Sequence, residues 1–478
     1  MRRYDHFYVD GQFLRCNGNT AFAIVNPSTE EPVGEVALCS VGDVDTAVQS
    51  AHRALGLWAK SSLDQRKGLL SQLRRELELR TDAIAEALAI EMGCPVWLGR
   101  MMQVPMALKG IDFAIEGIDQ LAWTETIGNG IVERVPVGVI AAITPWNFPL
   151  HQIVAKIAAG IAAGCTTVLK PSEIAPGAAL VFIEALHASG VPPGVVNMMW
   201  GDAEIGRALV THAEVSKISF TGSTHVGRQI MATAATNLTP VTLELGGKSA
   251  AVLLDDADLD AAMPVITRLA LVNSGQACVS QSRLIAPARL VSAIIDRFES
   301  AIADWPLGDP LADGTRLGPV ATRSQFQHVN SMIDRAAHDG AKRFVGTKGT
   351  ARHFENGWYV TPTLFSHVTP DMEIAQREVF GPVLALLSYE NEDDAELLAN
   401  ATRYGLSGAV WSRDQDRATR FARRMRTGQV VINGAPQNLA TPFGGFGDSG
   451  FGRENGRFGI EELLTYRSLH GGSRPGMV

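Results

Sequence analysis

Val137-Gly138-Val139-Ile140-Ala141-Ala142-Ile143 is a continuous apolar run rich in β-formers, followed by the Ala-rich stretch Ile153 to Ala163 and a second short run, Thr166 to Leu169. A strand that is apolar at successive positions needs cover on both faces, as a parallel strand in an α/β sheet has. Strand, helix, strand therefore reads as one βαβ unit. Val195-Val196-Asn197-Met198-Met199 and Lys217-Ile218-Ser219-Phe220 extend the alternation, with helices predicted around Pro176 to Ala188 and Glu204 to Leu209. After Gly246-Gly247 it restarts: strand Ser249 to Leu254, helix Leu259 to Val272, strand Gln281 to Ile285 and helix Val291 to Ala303. It continues through Val383 to Leu387, Asp393 to Thr402, Gly408 to Trp411 and Gln415 to Met425.

Upstream, Phe7 to Val36 alternates short extended segments with turn signals, and Asp43 can cap a helix that buries Val44, Ala47, Val48 and Ala51. Arg66 to Met92 continues as amphipathic helices. Trp123 to Pro136, with Gly128 and Gly130, reads as a hairpin arm. The predicted fold class is α/β: two doubly wound, mostly parallel Rossmann-like domains with a small β arm. Residues 1–117 and 137–246 form the first domain, 247–448 the second, and 118–136 with 463–478 the arm and a C-terminal strand.

The chain has 478 residues, 46% of them hydrophobic and 19% charged, with a net charge of −8. Such a length implies more than one core. The acidic balance gives no reason to expect nucleic acid or an anionic membrane as partner, which leaves small-molecule work. Cys16, Cys39, Cys94, Cys165 and Cys278 are scattered, supporting neither a disulfide framework nor a zinc site. The first ten residues lack the apolar run of a secretory signal, so a cytoplasmic location is expected.

Phe220-Thr221-Gly222-Ser223-Thr224-His225-Val226-Gly227 is a strand end turning into a helix, a place where backbone N–H groups attract anions. A nucleoside-triphosphate loop is disfavoured, because Arg228-Gln229 follows where Lys-Ser or Lys-Thr belongs. Gly246-Gly247-Lys248-Ser249 fails as well, since position 242 is Thr242. After the first strand of the βαβ unit stands Thr144-Pro145-Trp146-Asn147 rather than three spaced glycines. Cys278, in Val272-Asn273-Ser274-Gly275-Gln276-Ala277-Cys278-Val279, lies among small and polar residues after an apolar run, the setting of either a buried thiol or a nucleophile.

Seven stretches in order and spacing resemble the aldehyde dehydrogenase superfamily: 145–149 (PWNFP), 169–173 (LKPSE), 220–223 (FTGS), 243–248 (LELGGK), 275–278 (GQAC), 378–382 (EVFGP) and 442–445 (PFGG). The resemblance spans about residues 8 to 470 and points to the NAD(P)-dependent, hydrolytic, non-acylating type. It implies NAD-dependent oxidation of an aldehyde to the acid through a thiohemiacetal and a thioester. By this resemblance Cys278 is the nucleophile, Asn147 with the Cys278 backbone N–H binds the oxyanion, and Glu244 is the base that activates water. Lys156 and Glu454 match a pair that supports proton removal from that base, and a structural ion pair is the alternative.

For the cofactor, the resemblance assigns Lys170 and Glu173 to the adenosine ribose and Ser223 with the turn from Gly222 to Gly227 to the pyrophosphate, with Ser172 and Thr221 also among the cofactor contacts. Ile143, Thr144, Trp146, Leu245 and Gly246 line the same cleft, and Glu378 and Phe380 meet the nicotinamide end. A carboxylate at Glu173 accepts from both ribose hydroxyls and repels a 2′-phosphate, which favours NAD over NADP. No metal is required. The implied substrate pocket is Phe148, His151, Gln152, Ala155, Val279 and Phe443. It has no arginine, which argues against a carboxylate-bearing aldehyde, and the small Ala155 leaves room for an apolar, aromatic or terpenoid one. A semialdehyde or betaine-type dehydrogenase is the alternative substrate class. A coenzyme-A-acylating relative and a non-catalytic NAD-binding or structural relative are the remaining readings. The arm and Leu464 to His470 resemble oligomerisation elements, so a dimer or tetramer is expected.

Overall fold

The computed structural model describes residues 2–345 and 354–471; the predicted tail 472–478 lies outside them. Two large sheets organise the chain. The first has five parallel strands, β1 (Val139–Ile143), β2 (Thr166–Lys170), β3 (Val196–Met198), β4 (Lys217–Thr221) and β5 (Val241–Glu244), in the spatial order β5-β4-β1-β2-β3. Antiparallel strands close its ends: Gly450–Phe451 on β5, and the hairpin His6–Val9 and Gln12–Arg15 beyond β3. β1, β2 and β4 are buried at every position, as the apolar reading requires.

The second sheet holds β6 (Ala250–Leu253), β7 (Arg283–Pro287), β8 (Thr363–Ser366), β9 (Val383–Tyr389), β10 (Ser407–Trp411) and β11 (Gln429–Ile432). Their order is β8-β9-β7-β6-β10-β11, all parallel, with Lys342–Val345 antiparallel on the β8 edge. Alternate residues feed separate cores: Val383, Ala385 and Leu387 face one layer, Leu384 and Leu386 the other.

The helix that delivers the site is α1 (Pro149–Ala163). Proline at its first position loses no hydrogen bond, and Gly164 closes it in the left-handed conformation at φ 84°. Earlier in the chain, the helix expected to be capped by Asp43 starts sooner, at Val41. Ser40 is its cap and accepts from the Asp43 N–H, while Asp43 returns a bond to the Ser40 N–H. That reciprocal box satisfies two otherwise unpaired donors, which a cap at Asp43 alone would not. The hairpin Thr124–Ile127 and Gly130–Pro136 pairs with Leu464–His470 into a three-stranded antiparallel sheet. Ile127 and Tyr466 in that sheet are about two-thirds exposed.

Candidate active site and cofactor cleft

The strand order of the first sheet reverses between β1 and β4, and ligands bind open α/β sheets at the carboxyl ends of strands flanking such a point. A cleft of about 1210 Å³ including its open mouth lies there. Its walls include Ile143, Thr144 and Trp146 from β1 and its exit, Lys170, Ser172 and Glu173 from β2, and Thr221, Gly222 and Ser223 from β4. Lys170 Nζ is 3.5 Å from Glu173 Oε2. Ser223 caps the helix Thr224–Ala234 by accepting from the Val226 N–H. Thr144 Oγ1 is buried without a partner. Arg207, which sequence reasoning did not single out, also lines the cleft.

Three expected cleft residues stand elsewhere. Gly227 faces Leu245 so closely that a Cβ would fall 2.6 Å from Leu245 Cδ2, so the two pack against each other, and neither lines the cleft. Gly246 faces Glu378, where a Cβ would meet Oε2 at 2.3 Å. Glu378 Oε1 accepts from the Gly247 N–H at 3.1 Å, and burial pushes its carboxyl up to about 7. Phe380, at φ 55°, packs edge-on against Trp146 with ring centroids 5.6 Å apart. Gln325 Nε2 donates to the Val379 and Phe380 carbonyls at 3.1 and 2.9 Å and holds that turn in place.

Asn147 and Cys278 meet through the backbone of the cysteine loop. Asn147 Nδ2 donates to the Gln276 carbonyl at 3.1 Å, which leaves its second N–H free to point elsewhere. Asn273 Nδ2 bonds the Asn147 carbonyl at 3.0 Å and Gln103 Nε2 reaches it at 3.4 Å. The loop turns sharply because Asn273 and Ser274 are both left-handed, at φ 54° and 56°. Gly275 is also left-handed, and a Cβ there would lie 2.1 Å from the Gly381 carbonyl oxygen. Cys278 is half-buried; burial first, then the Glu378 and Glu244 carboxylates, push its thiol up to about 12.

Glu244 ends β5 and is buried, with no hydrogen-bond partner on either carboxylate oxygen. Desolvation, and after it the charge of Glu454, raise its carboxyl well above the ordinary range, while Lys156 and Arg453 oppose the shift. Lys156 Nζ lies 2.5 Å from Glu454 Oε1 and donates to Thr221 Oγ1 at 2.8 Å. Gly444 keeps space open beside the carboxylate, because a Cβ there would sit 2.8 Å from Glu244 Oε1.

A funnel with about 570 Å³ of free space, its mouth included, leads to Cys278. Phe148, His151 and Gln152, at i, i+3 and i+4 of the α1 start, line it with Val279 and Phe443. Ala155, expected in this wall, stands one turn beyond His151 and does not line it. Its place is taken by Met106 and Gln429, which sequence reasoning did not single out, and by Gln437, Asn438 and Leu439 of the loop 435–441, which it expected at the mouth. No residue of the wall carries a formal charge if His151 is neutral, and burial lowers the His151 imidazole below its usual value. His151 Nδ1 has no partner.

The sequence profile of the aldehyde dehydrogenase family matches residues 13–469. A Pseudomonas 3-succinoylsemialdehyde-pyridine dehydrogenase is 42% identical over 473 residues, covering 98% of this chain and 99% of that protein. Aldehyde dehydrogenase C of Pseudomonas syringae, crystallised as a mutant with NAD+ and octanal, superposes with a TM-score of 0.96 at 39% identity over 99% of this chain and 98% of that one. A Mycobacterium tuberculosis aldehyde dehydrogenase complexed with NAD+ gives 0.95 at 36% identity over 98% of each chain.

Proposed function

The chain belongs to the aldehyde dehydrogenase family, and from that premise we propose that it oxidises an uncharged, largely apolar aldehyde to the free acid with NAD. The observation that carries the reading is the convergence of three things: the Cys278 thiol at the foot of an uncharged funnel, the buried, unpartnered Glu244, and the cleft at the β1/β4 switch point. The cleft fits a dinucleotide. Glu173 supplies a carboxylate for a ribose diol, the helix N-terminus at Ser223 favours a pyrophosphate, and Thr144 in the lining has a buried hydroxyl without a partner. When bound, NAD supplies a hydride acceptor.

In this reading the thiol of Cys278 attacks the aldehyde carbon. Because it is held protonated at neutral pH, its proton passes to solvent water at the funnel as the bond to carbon forms. The free N–H of Asn147 and the Cys278 backbone N–H stabilise the oxygen that becomes negative. Once the thioester stands on Cys278, Glu244 takes a proton from the attacking water. Its carboxylate must first be ionised, and the Lys156 ammonium lowers the cost of that charge. Lys156 and Glu454 keep that neighbourhood fixed through Thr221, so we assign them a positioning role.

An uncharged wall offers nothing to pair with a substrate carboxylate, and the amides at the mouth suit a neutral polar tail. The octanal named with the Pseudomonas syringae structure and the pyridine-bearing semialdehyde named with the Pseudomonas relative fit that class. Residues 1–117 and 137–246 as cofactor domain, 247–448 as nucleophile domain and the three-stranded sheet as a homo-oligomer contact complete the proposal. No helix among the described residues is long and apolar enough to cross a membrane. Purified protein given octanal and NAD should accumulate reduced cofactor and octanoate without added coenzyme A, and Cys278→Ala should lose both. Turnover of that variant at the wild-type rate, or a strict need for coenzyme A, refutes the assignment.

A further inference from the structure

A separate small pocket, with about 270 Å³ of free space when its open mouth is included, lies where the starts of β6 and β7 meet the segments 399–407 and 425–427. Three cationic side chains line it, Lys248, Arg283 and Arg426, and no carboxylate does. Lys248 is fully buried and its Nζ has no hydrogen-bond partner. Arg283, equally buried, spends its donors on the carbonyls of Lys248, Leu398 and Ala399 at 2.7 to 2.9 Å. Among the described residues neither cation has a carboxylate within 4.0 Å. The Ser249, Ser407 and Thr427 hydroxyls in the same lining also lack partners.

An ammonium without a counter-ion in a dry interior is strongly disfavoured, and a pocket of orphaned donors around it has the composition of an anion site. We propose that this pocket binds a small singly charged anion, of the size of chloride or formate, on the Lys248 ammonium with the Ser249, Ser407 and Thr427 hydroxyls around it. Entry is from the rim, where Arg426 is exposed and Asn400 half-exposed. Water in the same space would satisfy the hydroxyls and leave the lysine to shed its proton, whereas an anion would hold it charged.

The lining sets a signature. Burial, reinforced by Arg283 and opposed by Glu378, brings Lys248 down to about 7. Tyr404 and Arg426 are the other titratable groups in the lining. An anion favours the charged form of the lysine. Binding above pH 7 therefore takes up a proton and weakens as pH rises, and binding well below pH 7 takes up none.

The test uses the full-length protein in sodium gluconate, whose anion is too large for the pocket, with chloride or formate substituted at constant ionic strength. The melting temperature should rise saturably with either small anion, and Lys248→Met should lose that rise. Calorimetric titration of the unmutated protein with formate at pH 8, in two buffers of different ionisation enthalpy, should register uptake of close to one proton. This second measurement stands even if the variant does not fold. Indifference to the exchange of anions, an equal rise in Lys248→Met, or binding without proton uptake would overturn the proposal and leave water as the occupant.

Discussion

Replacing Glu244 by glutamine separates the two halves of the proposed reaction. The side chains are nearly isosteric, and neither carboxylate oxygen has a hydrogen-bond partner to lose, so the fold should be retained. What disappears is a group able to take a proton from water. General-base assistance is worth about 10²–10⁴-fold, so steady-state turnover should fall by that factor while formation of the thioester survives. Rapid mixing of Glu244→Gln with NAD and octanal should then give a burst of one reduced cofactor per site, followed by slow turnover, and acid quench should trap an acylated Cys278. Stability should move the other way. A carboxyl whose folded pKa is raised binds its proton more tightly in the native state, so its stabilising contribution is complete below about 4.5 and is lost as pH rises toward the folded value. Glu244→Gln should therefore melt with the wild type near pH 4.5 and above it at pH 8. A variant that turns over within threefold of wild type, or that shows neither burst nor acyl-enzyme, would remove Glu244 from the role of base.

Asn147→Ala, which deletes one oxyanion donor, should lower kcat/KM for octanal about 10²–10³-fold with little change in NAD affinity by fluorescence titration. Cys278, with its thiol pushed up to about 12 in the ligand-free protein, should react with iodoacetamide about tenfold faster per pH unit between pH 8 and 10; a plateau below pH 8 would mean a thiolate already formed. His151→Leu removes an unpartnered nitrogen from an otherwise apolar stretch of funnel, so kcat/KM should rise for octanal and fall for an aldehyde with a hydroxyl along its chain, the ratio shifting by roughly tenfold or more. Tyr466→Asp in the exposed face of the three-stranded sheet should shift sedimentation toward a smaller species, and an unchanged sedimentation coefficient would free that face from the assembly.

The elements legible in the sequence are those whose environment acts on many consecutive residues. β1 is buried on both faces and declares itself as an apolar run. β2 and β4 are equally buried but carry Thr, Ser and Lys and are read from their place in the strand-helix alternation, and α1 is bounded by Pro149 and Gly164. Cys278, Glu244, Asn147 and the cleft residues were reachable through seven motifs whose joint spacing carries more information than any single one. The funnel was only half visible. Phe148, His151 and Gln152 were reachable only through the family resemblance, and Met106 and Gln429 come from segments brought to the funnel by tertiary packing alone. The left-handed pair Asn273-Ser274 carries no glycine to announce it. Its cost is met by bonds from Asn273 to the Asn147 and Gln276 carbonyls, contacts no local pattern encodes.

The antiparallel strand Gly450–Phe451 seals the edge of β5, pairing Gly450 with Glu244 itself. Roughly 200 residues of chain separate the two, so on the ribosome the strand that carries the proposed base waits about 10–40 s for its last neighbour at ordinary elongation rates. Through that interval β5 is an open edge able to recruit a foreign strand, and the Lys156 partner Glu454 has yet to be made. The fold is thereby finished from its end: a nascent or prematurely terminated chain can hold every residue that lines the cleft and still lack the strand that seals the proposed base.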